Sequence, residues 1–335
     1  MTEGPPLVTS VVVSYNDADT IGTCLESVLS QDYPKRETVV VCDEGSTDGT
    51  KATLTSLLSA SPDSFDLVLV PHTGRSAARN VGWKRGRGGI VFFADADDVY
   101  QPDYVSRAVQ ALTGEKTGCV CVTGASLIEG SGVASRMLKL YSLVQVKNRA
   151  ESRFRPSWAW VYTRKALEAA EGFDERLSQA EDKDLFERVQ RLGFDVAVVD
   201  GIHWLHRRPN TNSKYFRKTL NGGVRRIPYL AKRHDVLGFI RATGIIWFLC
   251  VTCVLQIVYW PAAAAMAVML LAAVVYRGVS TASLVWEGTT RKLDLMLYPF
   301  FNLASHAVSA VGCLVGLVQY LASPSRESQR PSSGA

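Results

Sequence analysis

The chain has 335 residues, enough for about two folded units. Its 37 Lys and Arg against 32 Asp and Glu leave a net charge of +5, too small an excess to mark a nucleic-acid binder. The basicity is local, because Arg207, Arg208, Lys214, Arg217, Lys218, Arg225, Arg226, Lys232 and Arg233 follow one another between His203 and His234 with no acid among them.

The first strand is predicted at residues 8–13, VTSVVV, a β-branched run that leads through the polar turn SYNDAD to a helix in TIGTCLESVLSQ. The pattern repeats. ETVVVCD reads as a buried strand, EGSTDG as a turn and TKATLTSLLSA as a helix with Leu54, Leu57 and Leu58 on one side. A third strand, FDLVLV, passes through PHTGR to the helix SAARNVGWKRG, and a fourth, GGIVFFA, runs into DADD. PDYVSRAVQAL then reads as a helix, and CVCVTGASLI as a strand with Cys119 and Cys121 on one face. Strands alternating with helices imply an α/β fold with a parallel sheet covered on both faces, whose ligands sit at the carboxyl ends of the strands. Residues 133–155 mix Arg136, Lys139, Lys147, Arg149, Arg153 and Arg155 with apolar Met137, Leu138, Leu140, Leu143 and Val144, as in a helix on a membrane surface or a basic solvated helix.

Two later stretches are apolar enough for a bilayer. Residues 242–276 contain no charge, and residues 295–322 contain only His306 as an ionisable group. A hydrocarbon core of about 30 Å takes roughly 20 helical residues. The first run, about 52 Å as one helix, is too long for one span, and Pro261 near its middle divides it. The expectation is three spans, near 236–259, 261–277 and 296–321, followed by a disordered tail at 323–335. MTEGPPLVTSVVVSYN lacks the basic and long apolar parts of a secretory signal, so the first 200 residues are expected on the cytosolic side. The seven cysteines form no paired metal spacing, and a reduced compartment fits them.

Four constellations carry chemistry. Asp95-Ala96-Asp97-Asp98 follows an apolar strand, and carboxylates crowded there repel one another unless a cation or strong donors intervene. Mg²⁺ typically takes one or two carboxylates plus substrate phosphates; a solvated acidic turn capping the next helix is the plainer reading. Ser14-Tyr15-Asn16-Asp17 and Cys42-Asp43-Glu44-Gly45-Ser46 lie at the ends of the first two strands, where a base and ribose can meet a carboxylate such as Asp43. No G-x-G-x-x-G follows the first strand, which removes the main support for a dinucleotide oxidoreductase. Arg75 and Arg79, with Asn80, share the face of a helix start that favours anions, so they read as diphosphate ligands or as surface salt-bridge partners. In Ser178-Gln179-Ala180-Glu181-Asp182, Ser178 and Glu181 fit a capping box, while Asp182 is available as a general base or as a helix-dipole partner.

Taken in order from SYND through D-x-D to Glu181-Asp182, these residues resemble a family-2 glycosyltransferase over about residues 6–210. The resemblance implies a GT-A nucleotide-sugar-binding domain at 1–206, to which the charge and apolar patterns add a basic interfacial segment at 207–235 and transmembrane helices at 236–322. It implies that Asp43 contacts the nucleotide base and that Asp95 and Asp97 bracket Mg²⁺ or Mn²⁺ on the donor diphosphate. His206 would complete the metal site, with His203 as its competitor, and Asp182 would be the catalytic base. Ser14, Tyr15, Asn16, Asp43, Ser46, Arg75, Arg79, Asn80, Asp95, Ala96, Glu181 and Arg207 form the implied substrate-binding set. Two departures stand out. Cys42 replaces one carboxylate of the second acidic turn, and no Q-x-x-R-W run follows the base motif, which disfavours chain-polymerising synthesis.

The implied reaction is an inverting transfer of one hexose to a membrane-resident acceptor. The plan resembles polyprenyl-phosphate-sugar synthases and a reduced cellulose-synthase-like architecture. The expected donor is GDP-mannose, with UDP-glucose next. The expected acceptor is a polyprenyl-linked glycan, with polyprenyl phosphate as the alternative, in the cytoplasmic or an ER-type membrane with the catalytic domain cytosolic. A non-catalytic membrane adaptor is the distant alternative, and no nucleic-acid partner is expected. The segment 207–233 reads either as a surface for lipid headgroups and phosphate or as plain positive-inside topology.

Overall fold

The computed structural model describes residues 4–112, 114, 116–123, 126–128, 132–133, 135–140, 160–200, 204–206, 212–258, 266, 268–272, 276 and 292–322. They divide into two compact units, Met1–Asn212 with Val279–Tyr298, and Ser213–Gly278 with Pro299–Ala335.

Among the described residues the first unit contains ten strands. They are β1 (Val8–Ser14), β2 (Arg36–Asp43), β3 (Asp66–Val70), β4 (Ile90–Asp95), β5 (Asp98–Tyr100), β6 (Thr117–Thr123), β7 (Ser126–Ile128), β8 (Val161–Thr163), β9 (Asp195–Asp200) and β10 (Trp204–His206). Its helices include α1 (Ile21–Leu29), α2 (Thr50–Ala60), α3 (Arg75–Arg85), α4 (Tyr104–Ala111), α5 (Arg164–Ala169) and α6 (Glu181–Arg191). Seven strands form one sheet in the order β3-β2-β1-β4-β8-β6-β9, and β5, β10 and β7 form a smaller one. The strands β3, β2, β1 and β4 run parallel, so the turns after them gather at one rim. β8 is antiparallel to both β4 and β6.

Near-continuous apolar runs in these strands are what a sheet buried on both faces requires. Alternate residues separate the two layers. Val8, Val12, Phe92 and Val120 pack with Ile21, Cys24, Leu25 and Tyr104 of α1 and α4. Val11, Val91, Phe93, Cys119 and Cys121 pack with Trp83, Leu167, Phe173, Leu185 and Phe186 on the other face. Cys119 and Cys121 therefore share a face, as their spacing predicts.

Of the smaller sheet, β7 lies within the predicted strand CVCVTGASLI, whereas β5 forms where the sequence reads as an acidic turn. β5 begins at Asp98 and pairs with β10, where His206 stands opposite Asp98 in the backbone register. Residues 135–140, inside the stretch read as a surface helix, are helical, but Met137, Leu138 and Leu140 are buried. Arg136 is held by Asp294, its Nε donating to Oδ2 at 3.0 Å. This segment is a core element rather than a membrane-surface or solvated helix; residues 141–155 lie outside the described residues.

In the second unit, α7 (Asn212–Lys232) and α8 (Val236–Val258) precede the main part of α9 (Lys292–Ala322). A Cβ on Gly223 would lie 2.2 Å from the Ser309 carbonyl oxygen, and one on Gly312 2.2 Å from that of Leu220. Glycine is thus the residue that lets α7 and α9 touch backbone to backbone. At 100° per residue, Lys218, Arg225 and Lys232 fall on the side of α7 away from Leu220, Gly223 and Ile227, and all three are exposed. Among the described residues one helix, Leu297–Ala322 with 26 residues, is long and apolar enough to cross a membrane. The expected span at 236–259 coincides with α8, of which Val236–Phe248 is a shorter apolar stretch, and most of 261–277 lies outside the described residues. Three full spans are therefore not established.

α3 lies against β1 and β2 through Gly82, where a Cβ would meet Val11 Cγ1 at 2.3 Å and Val41 Cγ2 at 3.2 Å. Both valines are fully buried and have no space to yield. Gly82→Ala is expected to destabilise the first unit by about 1–3 kcal/mol, the usual range for overpacking, read as a lower urea midpoint.

Candidate active site

The turns after β1 and β2 are sewn together before any ligand is considered. Asn16 adopts φ 56, its N–H donates to Ser46 Oγ at 3.3 Å, and its Oδ1 accepts from the Thr47 N–H at 2.8 Å. The Asp17 N–H donates to Thr50 Oγ1 at 2.8 Å, and the Ala18 N–H donates to Asp48 Oδ2 at 3.0 Å. Asp48 is partly desolvated, yet hydrogen bonds from Thr50 and Ala18 hold its carboxyl below the usual range. Ser14 is buried and gives its hydroxyl to Asp17. Ser14, Asn16 and Ser46, read as substrate ligands, are thus the frame of the rim, while Tyr15 stands exposed above it.

Carboxylates concentrate beside this frame. The buried Cys24 thiol is pushed well up by desolvation and then by the charges of Asp98, Asp95, Asp97 and Asp17. Four acids thus act on one point. Burial likewise raises Asp17, helped by Asp97 and Asp48 and opposed by the Tyr15 N–H. Asp98 is buried and accepts from the Tyr100 hydroxyl at 3.3 Å, whereas Asp95 and Asp97 are half-buried, with Ala96 buried between them. Such an accumulation suits a hard divalent cation, for which one or two carboxylates and substrate phosphates suffice. Among the described residues no group of three His, Cys, Asp or Glu forms a complete cage. His206 reaches the Asp98 register position; its side chain, His203 and Arg207 lie outside the described residues.

α3 carries the second half of the site. Ser76 donates its hydroxyl to the Leu177 carbonyl at 2.6 Å. Asn80 donates to the Phe173 carbonyl and to Glu175 Oε1, each at 2.9 Å, and accepts from the Phe173 N–H at 2.9 Å and from the Trp83 indole N–H. Asn80 therefore positions the 173–182 segment and offers nothing to a diphosphate. Arg79 is 2% exposed, with Nη2 2.8 Å from Asp95 Oδ1 and Nη1 2.8 Å from Glu181 Oε1. Its guanidinium carbon lies 5.3 Å from the ring centroids of both Trp160 and Phe173. It is neither a surface salt-bridge residue nor an open anion site. Arg75 is half exposed and approaches Glu181 Oε1 at 3.5 Å.

The capping box does not form. Ala180, in the left-handed region at φ 60, is the residue before α6, and no side chain caps that helix. Glu181 turns instead to Arg79. Asp182 accepts from the Lys183 N–H at 2.7 Å, and its carboxyl is pushed up by burial and by Glu181, against the lowering effect of Arg79. Asp95 also acts on it. Asp95 and Asp182 thus lie within electrostatic reach of each other. A positive φ on alanine is a strained conformation of the kind that surrounding contacts must hold. Ser76 and Arg79 supply those contacts.

His72 was not singled out in the sequence. Its Nδ1 lies 2.7 Å from Asp43 Oδ2, and its ring centroid lies 4.7 Å from that of Tyr15. Asp17, although part of SYND, also carried no assigned role. The only signals were a histidine just after a strand and an acid adjoining the β1 turn.

A sheet covered on both faces, with acids and a buried arginine at the carboxyl rim of its parallel strands, is the plan of a GT-A glycosyltransferase. Residues 9–170 match the model for glycosyl transferase family 2, and this part of the chain is a family-2 glycosyltransferase domain. Glycosyltransferase AglE of Haloferax volcanii is 27% identical over 62% of this chain and 68% of its own. Succinoglycan biosynthesis protein ExoO of Rhizobium meliloti is 30% identical over 63% of this chain, which spans just under two thirds of that relative, 64%. Among solved structures, the mannosyltransferase PcManGT from Pyrobaculum calidifontis, in complex with GDP-Man and Mn²⁺, superposes with a TM-score of 0.58. It is 22% identical and covers 94% of this chain and 88% of its own, which supports the fold.

Removing Arg79 leaves Asp95 and Glu181 without the cation between them. Arg79→Ala is expected to destabilise the first unit by about 3–5 kcal/mol, as for other broken buried pairs, with Arg79→Lys intermediate because an ammonium lacks the planar fork. Chemical denaturation of the three proteins measures both.

Proposed function

We propose that this chain transfers one hexose, with inversion, from a sugar nucleotide to a polyprenyl-linked glycan in the membrane. GDP-mannose is the first candidate donor and UDP-glucose the second; GDP-Man and Mn²⁺ are also the ligands named with the structural neighbour. The observation that carries the reading is Arg79, which ties the Asp95 turn to Glu181, the residue next to Asp182.

Asp95 and Asp97, with His206, would hold Mg²⁺ or Mn²⁺. When bound, the cation neutralises the diphosphate as it leaves. Asp182 accepts the proton of the acceptor hydroxyl as that oxygen bonds to the anomeric carbon. The anomeric carbon–oxygen bond to the diphosphate breaks, and its electron pair departs with the leaving group. Burial favours this base, since a carboxylate raised toward the operating pH takes a proton more readily than an ordinary aspartate. Arg75, half exposed beside Glu181, is the cation of α3 positioned to meet the diphosphate.

The catalytic domain, 1–206, is placed on the cytosolic side, with the segment 207–235 and the helices of 236–322 at the membrane. Leu297–Ala322 and the basic side of α7 support this placement. That basic side also favours a second reading, polyprenyl phosphate as acceptor, with Arg207 at its start. A phosphate oxygen attacks without losing a proton, so Asp182→Asn separates the two: activity on a phosphate acceptor would survive the substitution.

Three outcomes are expected. Asp97→Ala abolishes Mn²⁺-dependent turnover of the sugar nucleotide, measured as nucleoside diphosphate release; retained turnover would overturn the metal assignment. Asp182→Asn lowers kcat on a hydroxyl acceptor by about 10²–10⁴-fold while donor binding persists. The base works only when ionised and its carboxyl is raised above 3.8, so the acid limb of kcat/KM lies above that value. Glu181→Gln removes a raising charge and is expected to move the limb to lower pH.

A further inference from the structure

We propose that His72, and not Asp43 directly, reads the edge of the donor's nucleobase, an inference that rests on the donor-site reading above. Asp43 is 7% exposed at its side chain and has work for both oxygens. Oδ1 accepts from the Gly45 N–H at 2.8 Å, and Oδ2 faces His72 Nδ1 at 2.7 Å. His72, by contrast, is 60% exposed at its side chain. Its base is seated on Gly45, where a Cβ would come within 3.1 Å of His72 Cβ and 3.0 Å of Asp43 Oδ1. The three residues form one fitted unit, with the exposed Tyr15 ring alongside.

The position suits a base. Neighbouring strands are about 4.8 Å apart, and β2 and β3 stand two and three places from β4 across the rim. Asp43 and His72 are therefore roughly 10–14 Å from the acidic turn, the reach of a nucleoside diphosphate lying across the strand ends with its phosphates at Asp95. Tyr15, on the β1 end between them, offers a flat surface on that path.

The carboxylate also sets the chemistry of the ring. A carboxylate accepts, so His72 Nδ1 carries the proton, and in the neutral ring Nε2 presents a lone pair outward. That lone pair accepts from the N1–H of guanine or the N3–H of uracil. Adenine N1 and cytosine N3 carry lone pairs at the matching position and are repelled. The unit thus selects bases with a ring N–H and rejects those without, a discrimination by mismatched acceptors.

The test is calorimetric binding of GDP, UDP, ADP and CDP to the full chain with Mn²⁺. The wild type is expected to bind GDP or UDP at least tenfold more tightly than ADP and CDP. His72→Ala should bring the four within about threefold of one another, while His72→Gln, which keeps an acceptor, should restore part of the preference. Asp43→Asn is the sharper variant. Its Oδ1 still accepts from Gly45, but its amide donates to His72 Nδ1, moving the ring proton to Nε2 and shifting preference toward ADP and CDP. Unchanged selectivity in His72→Ala, or an unchanged order in Asp43→Asn, overturns the role of His72 and leaves the donor site standing. A wild type that binds none of the four overturns both.

Discussion

One buried cation organises the catalytic half of this protein. Arg79 is enclosed by two aromatic rings and answers to acids from two separate places, the end of β4 and the start of α6. A charge in such a place is stabilised because its partners surround it, and the same partners are tolerable because it is there. Burial works to discharge the guanidinium, but Asp95, Glu181 and Asp182 hold it more firmly protonated than usual. The contribution to net stability is modest, since desolvation offsets most of the attraction. What the arrangement gives is position. The elements carrying Asp95 and Asp182 cannot separate without uncovering opposite charges in an apolar setting.

α3 does the rest of the alignment. Ser76, Arg79 and Asn80 face one segment, and each fixes a different part of it, at Leu177, Glu181 and Phe173. Trp83 adds its indole N–H to Asn80 Oδ1 at 3.1 Å. The helix is therefore a jig for the chain that presents Asp182, and Gly82 lets it sit close to the sheet. The strained Ala180 fits this picture, because a backbone held from two sides can keep a conformation that it would otherwise leave.

Much of this was legible in the sequence, and the boundary is physical. Strand and helix periods placed β1 to β4 and α1 to α4 within a residue or two, because apolar spacing is written locally. The motifs marked Asp43, Asp95 and Asp97 because acids at strand ends have few structural reasons to cluster, and Asp182 because the expected helix cap left it without a task. What failed was partner choice. Ser178 and Glu181 have capping-box spacing, yet a buried guanidinium a hundred residues away outbids the helix end for Glu181. Arg75 and Arg79 look equivalent one turn apart, but one faces the interior and the other solvent. His72 was invisible for the same reason: only the parallel pairing of β2 with β3 brings it to Asp43. The short strands β5, β8 and β10 carry too few residues for a period to emerge.

The stitching of the β1 and β2 turns has a consequence for the timing of ligand capture. Asn16, Asp17 and Ala18 are joined to Ser46, Thr47, Asp48 and Thr50 by hydrogen bonds within the protein itself. The loops that would cradle a nucleoside are thus ordered while the chain folds, and their entropy is surrendered then. An incoming molecule meets a finished floor, so its rate of arrival reflects diffusion and charge and not the slow gathering of loose polypeptide.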